Sequence, residues 1–363
     1  MKEWKIALLP GDGVGGEVTR EAVKTLEKIG ELFSLSFVFT ECPVGGRAID
    51  DCGTPLPKET LRAVEGSSAI LLGAVGGPKW DSLPTEKRPE AALLGLRSHL
   101  RLFCNLRPAM IFSELLGASP LKEEIVRDAD IMVVRELTGD VYFGKPRGIF
   151  DRHGERVGIN TLVYSETEIR RIARAAFKIA QNRRKKVTSV DKANVLESMA
   201  LWREVVSDVG REFPDIELDH LYVDNCAMQL VRNPRGFDTI LTTNLFGDIL
   251  SDEAAMLTGS IGMLPSASLG ETGSPGLFEP VHGSAPDIAG NGIVNPIATI
   301  LSSSMMLDHA FGEREAARLV VSAVKKAIGD GYRTKDIYDG EGTLISTEEM
   351  GDVIAGNLAL MKE

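Results

Sequence analysis

The sequence predicts an α/β protein with a mainly parallel sheet. Short apolar runs of strand length alternate with amphipathic stretches of helix length, an order that favours parallel strands joined by helices. In sheets of this kind, functional sites lie beyond the carboxyl ends of the strands. A chain of 363 residues is also long enough for a large buried core and favours two domains over one.

The composition argues against several classes of function. Apolar residues make up 43% of the chain and charged residues 26%, which is typical of a soluble globular protein. The net charge of −11 argues against nucleic acid or an anionic membrane surface as the main partner. No stretch reaches the roughly 18 apolar residues of a membrane span. The N-terminal residues lack signal-peptide character and the four cysteines lack CxxC spacing, so we expect a cytoplasmic protein with reduced thiols.

Strands are predicted where short apolar runs end in turn or polar residues. The clearest helix start is the capping box formed by Ser165 and Glu168. Three long helices are predicted near the C-terminus, up to residue 307, at 314–328 and at 348–360. The predicted strands are 6–9, 35–40, 69–72, 131–134, 187–190, 218–223 and 237–241.

A glycine-rich turn follows the first predicted strand and precedes a helix. Gly11, Gly13 and Gly16 have the GxGxxG spacing of a dinucleotide-binding turn in the required context. The acidic residue after the next strand, Glu41, lies late for a ribose partner. Glycines that serve only a tight turn would give the same pattern, so the residues alone leave both interpretations open.

Asp248 and Asp252 lie in a segment that is typical of a strand followed by a helix, with Asn244 as the predicted N-cap. Ile249, Leu250 and Ala254 would form the buried face of this helix. A spacing of four residues places both carboxylates on one helix face, where they could hold one hard cation. The same spacing also arises by chance, and the pair at 215 and 219 is interpreted as that background case.

Three predicted strand ends carry groups suited to a cation and an anionic substrate. Lys192 follows one strand, Asp224 follows another, and the third leads into the helix of Asp248 and Asp252. Carboxylate oxygens favour a hard divalent cation, and zinc is disfavoured because neither histidine nor cysteine clusters there.

Three arginines lie near other predicted strand and helix ends: Arg97, Arg107 and Arg135. A guanidinium group can bind a carboxylate through two parallel hydrogen bonds. Any single arginine is more often a surface residue, so each of them alone is weak evidence.

A later loop, residues 279–290, is rich in small residues whose backbone N–H groups could bind a phosphate. Asp287 could accept a hydrogen bond from a ribose hydroxyl. His282 could equally be a structural histidine bound to loop carbonyls.

With these segments in hand, the chain resembles the β-decarboxylating dehydrogenases, the family of isocitrate and 3-isopropylmalate dehydrogenases. The resemblance extends over essentially the whole chain. Within the family it favours the members that act on 3-isopropylmalate. Its most specific segments are 97–107, 135–144, 190–194, 222–225, 244–253 and 279–296.

The resemblance implies the family's own isocitrate/isopropylmalate dehydrogenase-like fold, not a Rossmann fold. This fold has two α/β domains with a cleft between them. Residues 1–102 and 261–363 would form the terminal, cofactor-side domain, and residues 103–260 the central domain with the dimer interface and metal site. The resemblance also implies a homodimer with shared active sites, in which Lys192 and Asp224 reach the site from the partner subunit. The early glycine turn would then not bind the cofactor.

The implied reaction is an NAD-dependent oxidative decarboxylation. Lys192 would accept the proton of the substrate's C2 hydroxyl, and Tyr142 would protonate C3 after CO₂ has left. The cation, Mg²⁺ or Mn²⁺, would stabilise the developing enolate. The implied metal ligands are Asp224, Asp248 and Asp252.

The implied substrate is 3-isopropylmalate, which would give 2-oxoisocaproate in leucine biosynthesis. Burial of three carbons is worth roughly 2.4 kcal/mol. Isocitrate, the first alternative, would place a third carboxylate against two leucines without a cation. A silent regulatory subunit is the alternative of another class, and the complete catalytic set argues against it. The implied substrate-binding residues are Arg97, Arg107, Arg135, Asp224, Glu90, Leu93, Leu94 and Val195.

The implied cofactor, NAD, would lie against two loops of the terminal domain. Asp287 matches the NAD-using members, because its carboxylate would meet the 2′-phosphate of NADP. The implied cofactor-binding residues are Gly77, Pro78, Lys79, Trp80, Glu90, His282, Gly283, Ser284, Ala285, Pro286, Asp287, Ile288 and Asn295.

Overall fold

The structure is a computed structural model that describes residues 2–362. It divides into two compact units. The first comprises Met1–Leu102, Phe112–Pro120 and Thr258–Glu363, and the second comprises Phe103–Ile111 and Leu121–Leu257. We propose that these units are the two expected domains, with residues 112–120 and 258–260 added to the terminal one. None of the helices in the described part of the chain combines the length and apolar character needed to cross a membrane.

Each strand predicted from the sequence is present, and most extend by one or more residues at an end. Among residues 2–362 the strands are β1 (Lys2–Gly11), β2 (Leu35–Glu41), β3 (Ala69–Ala74), β4 (Cys104–Met110), β5 (Asp130–Glu136), β6 (Gly148–Arg152), β7 (Glu155–Ile159), β8 (Lys186–Asp191), β9 (Glu217–Tyr222), β10 (Thr239–Thr242), β11 (Pro265–Leu269), β12 (Gly276–Pro280), β13 (Tyr332–Arg333) and β14 (Thr343–Leu344).

Helices connect most of these strands, together with six short 3₁₀ helices in the described residues. The α-helices are α1 (Gly15–Phe33), α2 (Gly45–Cys52), α3 (Lys58–Glu65), α4 (Glu90–His99), α5 (Glu123–Val126), α6 (Glu166–Gln181), α7 (Glu197–Gly210), α8 (Val223–Arg232), α9 (Asn244–Leu257), α10 (Ile297–His309), α11 (Arg314–Gly329) and α12 (Thr347–Lys362).

In the first unit, five strands follow the order β2-β1-β3-β12-β11. β1 pairs in parallel with β2 and β3, and β12 pairs in parallel with β3 and antiparallel with β11. In the β1–β3 register Gly11 lies opposite Ala74, so the loops after these two strands begin side by side. α10 is buried along nearly its whole length, from Ile297 to Leu307, which explains why this stretch contains no charged residue.

In the second unit, five strands follow the order β4-β5-β10-β8-β9. β10 pairs in parallel with both β5 and β8, and β9 pairs in parallel with β8, while β4 and β5 are antiparallel. The mainly parallel sheet predicted from the sequence is therefore confirmed within each unit. Phe177 and Trp202 are fully buried beside this sheet, on α6 and α7.

Of three local predictions, one is confirmed, one is wrong and one is confirmed in part. The capping box is present, with Ser165 and Glu168 each bonded to the other's backbone N–H. The predicted N-cap is wrong: α9 begins at Asn244 itself, and the Asn244 side chain binds Arg135 instead of capping the helix. On the predicted apolar face of α9, Leu250 and Ala254 are buried but Ile249 is 58% exposed. Ile249 therefore faces away from the core of its own chain.

Candidate active site

The carboxyl ends of the parallel strands of the second unit carry the predicted polar groups. Thr242 at the end of β10 lies opposite Arg135 on β5 and Val190 on β8. Lys192 follows β8, and Asp224 lies in the first turn of α8, directly after β9. The sequence-predicted groups therefore follow neighbouring strands at one edge of this sheet.

Asp248 on α9 is the centre of a charged cluster. Its Oδ1 accepts from Nη1 of Arg135 and lies 3.6 Å from Nη2 of Arg107. Its Oδ2 accepts from the Tyr142 hydroxyl at 3.0 Å. Burial alone would raise the pKa of Asp248, but the two guanidinium groups bring that pKa below its ordinary value. Asp248 is therefore an ionised carboxylate at neutral pH.

Asp252 lies one turn further along α9 and also contacts Arg107. The distance between Arg107 Nη1 and Asp252 Oδ1 is 3.2 Å, and the same nitrogen donates to Ser251 Oγ at 2.7 Å. Burial raises the pKa of Asp252, the Arg107 charge opposes this shift, and the Asp248 charge adds to it. The two carboxylates thus share one helix face, as predicted. Their oxygen donors are of the type that suits a hard divalent cation.

Asp224, the third predicted metal ligand, forms its ion pair with a different residue from those that bind Asp248 and Asp252. Asp224 Oδ1 accepts from Lys192 Nζ at 2.5 Å, and this hydrogen bond lowers the pKa of Asp224. Within residues 2–362, no three side chains of Asp, Glu, His or Cys come close enough together to hold a metal ion. One chain therefore presents two separate groups, Asp248 with Asp252 and Asp224 with Lys192.

Tyr142 is suited to donating a proton. Burial raises the pKa of its hydroxyl, and the negative charge of Asp248 raises it further. The phenol is therefore protonated at neutral pH and donates its hydrogen to Asp248. Arg135 lies over the Tyr142 ring, with its guanidinium carbon 5.9 Å from the ring centre.

Asn244 orients Arg135, a role that sequence reasoning missed. Its Oδ1 accepts from Arg135 Nε at 3.1 Å and from Nη2 at 2.8 Å, and its Nδ2 donates to the Leu137 carbonyl at 3.0 Å. An ideal Cβ on Gly247 would lie 2.6 Å from Arg135 Cγ, so this glycine leaves room for the arginine side chain. Nothing in the local sequence links these positions, because they meet only through the packing of α9 against β5.

Asn105 supports the second arginine in the same way. Its Oδ1 accepts from Arg107 Nε at 2.9 Å. The two residues are two positions apart on β4 and so point to the same face of the strand. This spacing is a signal that could have identified Asn105 from the sequence.

Arg97, the third predicted arginine, lies on α4 in the first unit. Its Nη2 donates to Glu279 Oε1 at 3.0 Å, and both side chains are buried. Its Nε is buried without a hydrogen-bond partner. Because such a donor is costly to leave unpaired, it fits the prediction that Arg97 binds an anion.

The other predicted substrate residues are at least partly accessible. Leu93 and Leu94 are partly exposed on α4, and Glu90 is exposed at its start. Glu90 Oε1 would lie 2.9 Å from an ideal Cβ on Gly76, so its carboxylate lies against the loop after β3. Val195, in the second unit, is exposed after β8.

A cavity of about 590 Å³ lies beside the predicted cofactor loop of the first unit. His282 Nδ1 lies 2.9 Å from the Gly283 carbonyl, which accepts its hydrogen, and Nε2 is buried without a partner. Burial lowers the pKa of His282, so the ring is neutral at pH 7 and Nε2 is a free acceptor. The lining residues are Ser260, Ile261, Gly262, His282, Gly283, Ala285, Ile288, Ile293, Val294, Asn295, Lys335 and Asp336.

The remaining predicted cofactor residues lie outside that lining. Ser284 is buried, and Pro286 and Asp287 are exposed in the same loop. Gly77 precedes the 3₁₀ turn Pro78–Trp80, where Lys79 Nζ donates to Asp50 at 2.5 Å and Trp80 Nε1 does so at 3.2 Å.

The glycine turn after β1 has a structural explanation. An ideal Cβ on Gly11 would lie 1.9 Å from the Ala74 carbonyl oxygen, and one on Gly13 would lie 1.9 Å from that of Ser284. Both glycines also have positive φ angles. In a dinucleotide-binding turn the third glycine permits close packing, but a Cβ on Gly16 would meet nothing within 4 Å. These contacts favour the tight-turn interpretation.

The family model described as isocitrate/isopropylmalate dehydrogenase matches residues 5–354. The chain belongs to this family. It is therefore an oxidoreductase of the dehydrogenase type, and the predicted family and α/β fold are confirmed.

Relatives in this family match the chain almost end to end. A protein of Aquifex aeolicus named 3-isopropylmalate dehydrogenase is 56% identical over 363 residues, covering 100% of this chain and 99% of that protein. One of Methylococcus capsulatus with the same name is 58% identical over 356 residues, covering 98% of each.

Solved structures of the family show the same fold. An isocitrate dehydrogenase of Methylococcus capsulatus has a TM-score of 0.87 at 36% identity, covering 99% of both chains. A β-decarboxylating dehydrogenase of Thermococcus kodakarensis has a TM-score of 0.80 at 35% identity, covering 99% of this chain and 97% of that one.

Proposed function

We propose that this protein catalyses the NAD-dependent oxidative decarboxylation of 3-isopropylmalate to 4-methyl-2-oxopentanoate and CO₂ in leucine biosynthesis, in the cytoplasm. The observation that carries the proposal is the cluster in which Asp248 joins Arg107, Arg135 and Tyr142. The names of relatives that are 56–58% identical over nearly the whole chain support the choice of substrate.

Buried arginines bind the carboxylates of the substrate. The Arg107 and Arg135 side chains are 9% and 4% exposed and are held by Asn105 and Asn244. Preorganised guanidinium groups lose little side-chain entropy when they bind an anion. Arg97 adds an unpaired buried Nε.

Two side chains move the protons. Lys192 accepts the proton of the C2 hydroxyl, and Tyr142 delivers its phenolic proton to C3 after CO₂ has left. The raised pKa of Tyr142 keeps the phenol in the form that this second step needs. Bound NAD⁺ would supply the hydride acceptor, and bound Mg²⁺ or Mn²⁺ would stabilise negative charge on the substrate's C2 oxygen.

Asp248, Asp252 and Asp224 would hold the cation in a homodimer with shared active sites. Within one chain, Asp224 pairs with Lys192 and does not join Asp248 and Asp252. We therefore assign Asp224 and Lys192 to the site of the partner subunit. The dimer contact is formed by α8 and α9. Four large apolar side chains on these helices are exposed in one chain and would be covered by a second copy: Met228, Val231, Ile249 and Met256.

The first unit would hold the cofactor, at the loops beside the cavity that His282 lines. The cavity wall combines apolar side chains with His282, whose Nε2 has no hydrogen-bond partner, and this lining suits a heteroaromatic ring with polar edges. We assign the isopropyl group of the substrate to Leu93 and Leu94.

The direct test is an assay with purified protein, 3-isopropylmalate, NAD⁺ and Mg²⁺, followed by the absorbance of NADH. We expect turnover that a chelator abolishes and that Mg²⁺ or Mn²⁺ restores. Malate without the isopropyl group should have a kcat/KM roughly 60-fold lower, the equivalent of about 2.4 kcal/mol. Isocitrate turned over as well as 3-isopropylmalate, or activity that survives chelation, would overturn the proposal.

Asp287 should make the enzyme prefer NAD⁺ over NADP⁺. Its exposed carboxylate would repel a 2′-phosphate, so Asp287→Asn should raise kcat/KM for NADP⁺ on the order of tenfold. Asp352→Asn, which removes an exposed carboxylate on α12, is the control and should leave kcat/KM for NADP⁺ unchanged. Wild-type protein that uses NADP⁺ better than NAD⁺ would contradict this assignment.

A further inference from the structure

We propose that the turn Gly11–Glu17 positions the two loops that bind the cofactor, through the carboxylates of Asp12 and Glu17. The inference rests on the proposed function, since that function makes these loops the cofactor site. The loop after β3, residues 75–80, is called the first loop, and residues 282–295 the second loop. The GxGxxG pattern lies in this turn, and the proposed chemistry leaves it without a role.

Asp12 links the first loop to the start of α2. Its Oδ2 accepts from the backbone N–H groups of Gly46 and Gly76, and its Oδ1 accepts from that of Arg47, each at 2.8 Å. Asp12 is only 6% exposed. A buried carboxylate that accepts three N–H hydrogen bonds fixes the relative positions of the three donors.

The first loop depends on such a link. Gly76 and Gly77 have φ angles of 116° and 153°, so this backbone has little conformational preference of its own. Beyond them, Trp80 packs on Gly46, where an ideal Cβ would lie 2.2 Å from the indole ring. Asp12 and Trp80 therefore attach the two ends of the first loop to the same helix, α2.

Glu17 holds the far end of the second loop. Its Oε1 accepts from the N–H of Gly290 at 2.6 Å, and its Oε2 accepts from that of Gly292 at 3.1 Å. Both glycines have positive φ angles. The carboxylate thus fixes a glycine-containing segment that leads to Asn295 at the cavity.

Val14 holds the near end of the second loop. Its N–H donates to the Ser284 carbonyl at 2.8 Å, and its side chain packs with Val18 and Val294. One short turn therefore contacts the first loop and both ends of the second loop. Its position after β1 follows from the β1–β3 register, which places Gly11 beside Ala74.

Two variants test the inference with little change in volume. Asp12→Asn keeps the size of the side chain but replaces an acceptor oxygen by an NH₂ group, so at least one of the three N–H groups loses its acceptor. Glu17→Gln does the same to a partly exposed side chain and is expected to fold normally. The control is Val64→Ala, which shortens a fully buried side chain on α3 in the same unit.

The first readout is amide hydrogen exchange of the protein without cofactor. We expect faster exchange in the first loop for Asp12→Asn and in residues 290–292 for Glu17→Gln. Val64→Ala should lower the Tm without accelerating exchange selectively in either loop. Unchanged exchange in both loops of both variants would overturn the inference.

The second readout is binding of NADH by calorimetry, with KM values for both reactants. Asp12→Asn should weaken NADH binding on the order of tenfold, and Glu17→Gln by a few-fold, from the loss of charge-assisted hydrogen bonds. KM for 3-isopropylmalate should change by less than about twofold. General destabilisation would not weaken NADH binding while leaving this KM nearly unchanged. Equal weakening of NADH binding by Val64→Ala would overturn the inference. Wild-type protein that binds neither NADH nor NAD⁺ would instead overturn the proposed function, and with it the inference.

Discussion

Lys192→Met should lower kcat with 3-isopropylmalate by about 10²- to 10⁴-fold, the range typical for loss of a general base. Methionine keeps the length and most of the volume of the side chain but cannot accept the proton of the C2 hydroxyl. The KM for NAD⁺ should stay within about twofold, because Lys192 lies outside the loops assigned to the cofactor. Steady-state kinetics with both substrates varied would measure the two effects separately.

Lys186→Met is the matched control for this variant. Lys186 begins β8 and Lys192 follows its end, each lysine is paired with carboxylates, and their side chains are 27% and 28% exposed. The control should retain nearly full turnover. Turnover of Lys192→Met within tenfold of the wild-type rate would remove Lys192 from the catalytic role.

Asp252→Asn should raise the Mg²⁺ concentration needed for half-maximal activity on the order of 100-fold, because the number of ligand charges sets the affinity of carboxylate sites. Asp252 is a better target for this test than Asp248. Asp248 also holds Arg135 and Tyr142, so the loss of Asp248 would disturb three groups at once. The Asp252 side chain is 57% exposed, and the variant should fold with little change in Tm.

Asp219→Asn is the control for the metal experiment. Asp219 belongs to the second pair of aspartates with the same spacing, but the structure places it on β9, where it pairs with Lys186. Its substitution should leave the Mg²⁺ dependence unchanged. An unchanged Mg²⁺ titration for Asp252→Asn would show that Asp252 is not a ligand.

The strands and most of the buried faces could be predicted because burial imposes a periodicity that the sequence records. Ile249 shows the limit of this signal. Its apolar side chain follows the pattern of a core residue but is exposed in one chain. The proposed dimer contact would explain this, because a residue that faces another subunit has the same hydrophobicity as one that faces the core.

The residues that orient the site were harder to predict. Asn244 has the sequence signature of an N-cap, yet its amide binds a guanidinium group on β5. Its partner is 109 residues away, and nothing local to either position records the contact. Asp12 and Glu17 were missed for the same reason, because their partners are backbone N–H groups that have no side-chain signature.

The crowding around the first turn bears on how a sequence signature is interpreted. Side chains at Gly11 and Gly13 would collide with carbonyl oxygens of neighbouring loops, whereas Gly16 has open space around it. Selection for a foldable backbone alone would thus retain two of the three glycines of the nucleotide-binding pattern. Their presence in a chain of this architecture carries no information about whether a nucleotide touches them.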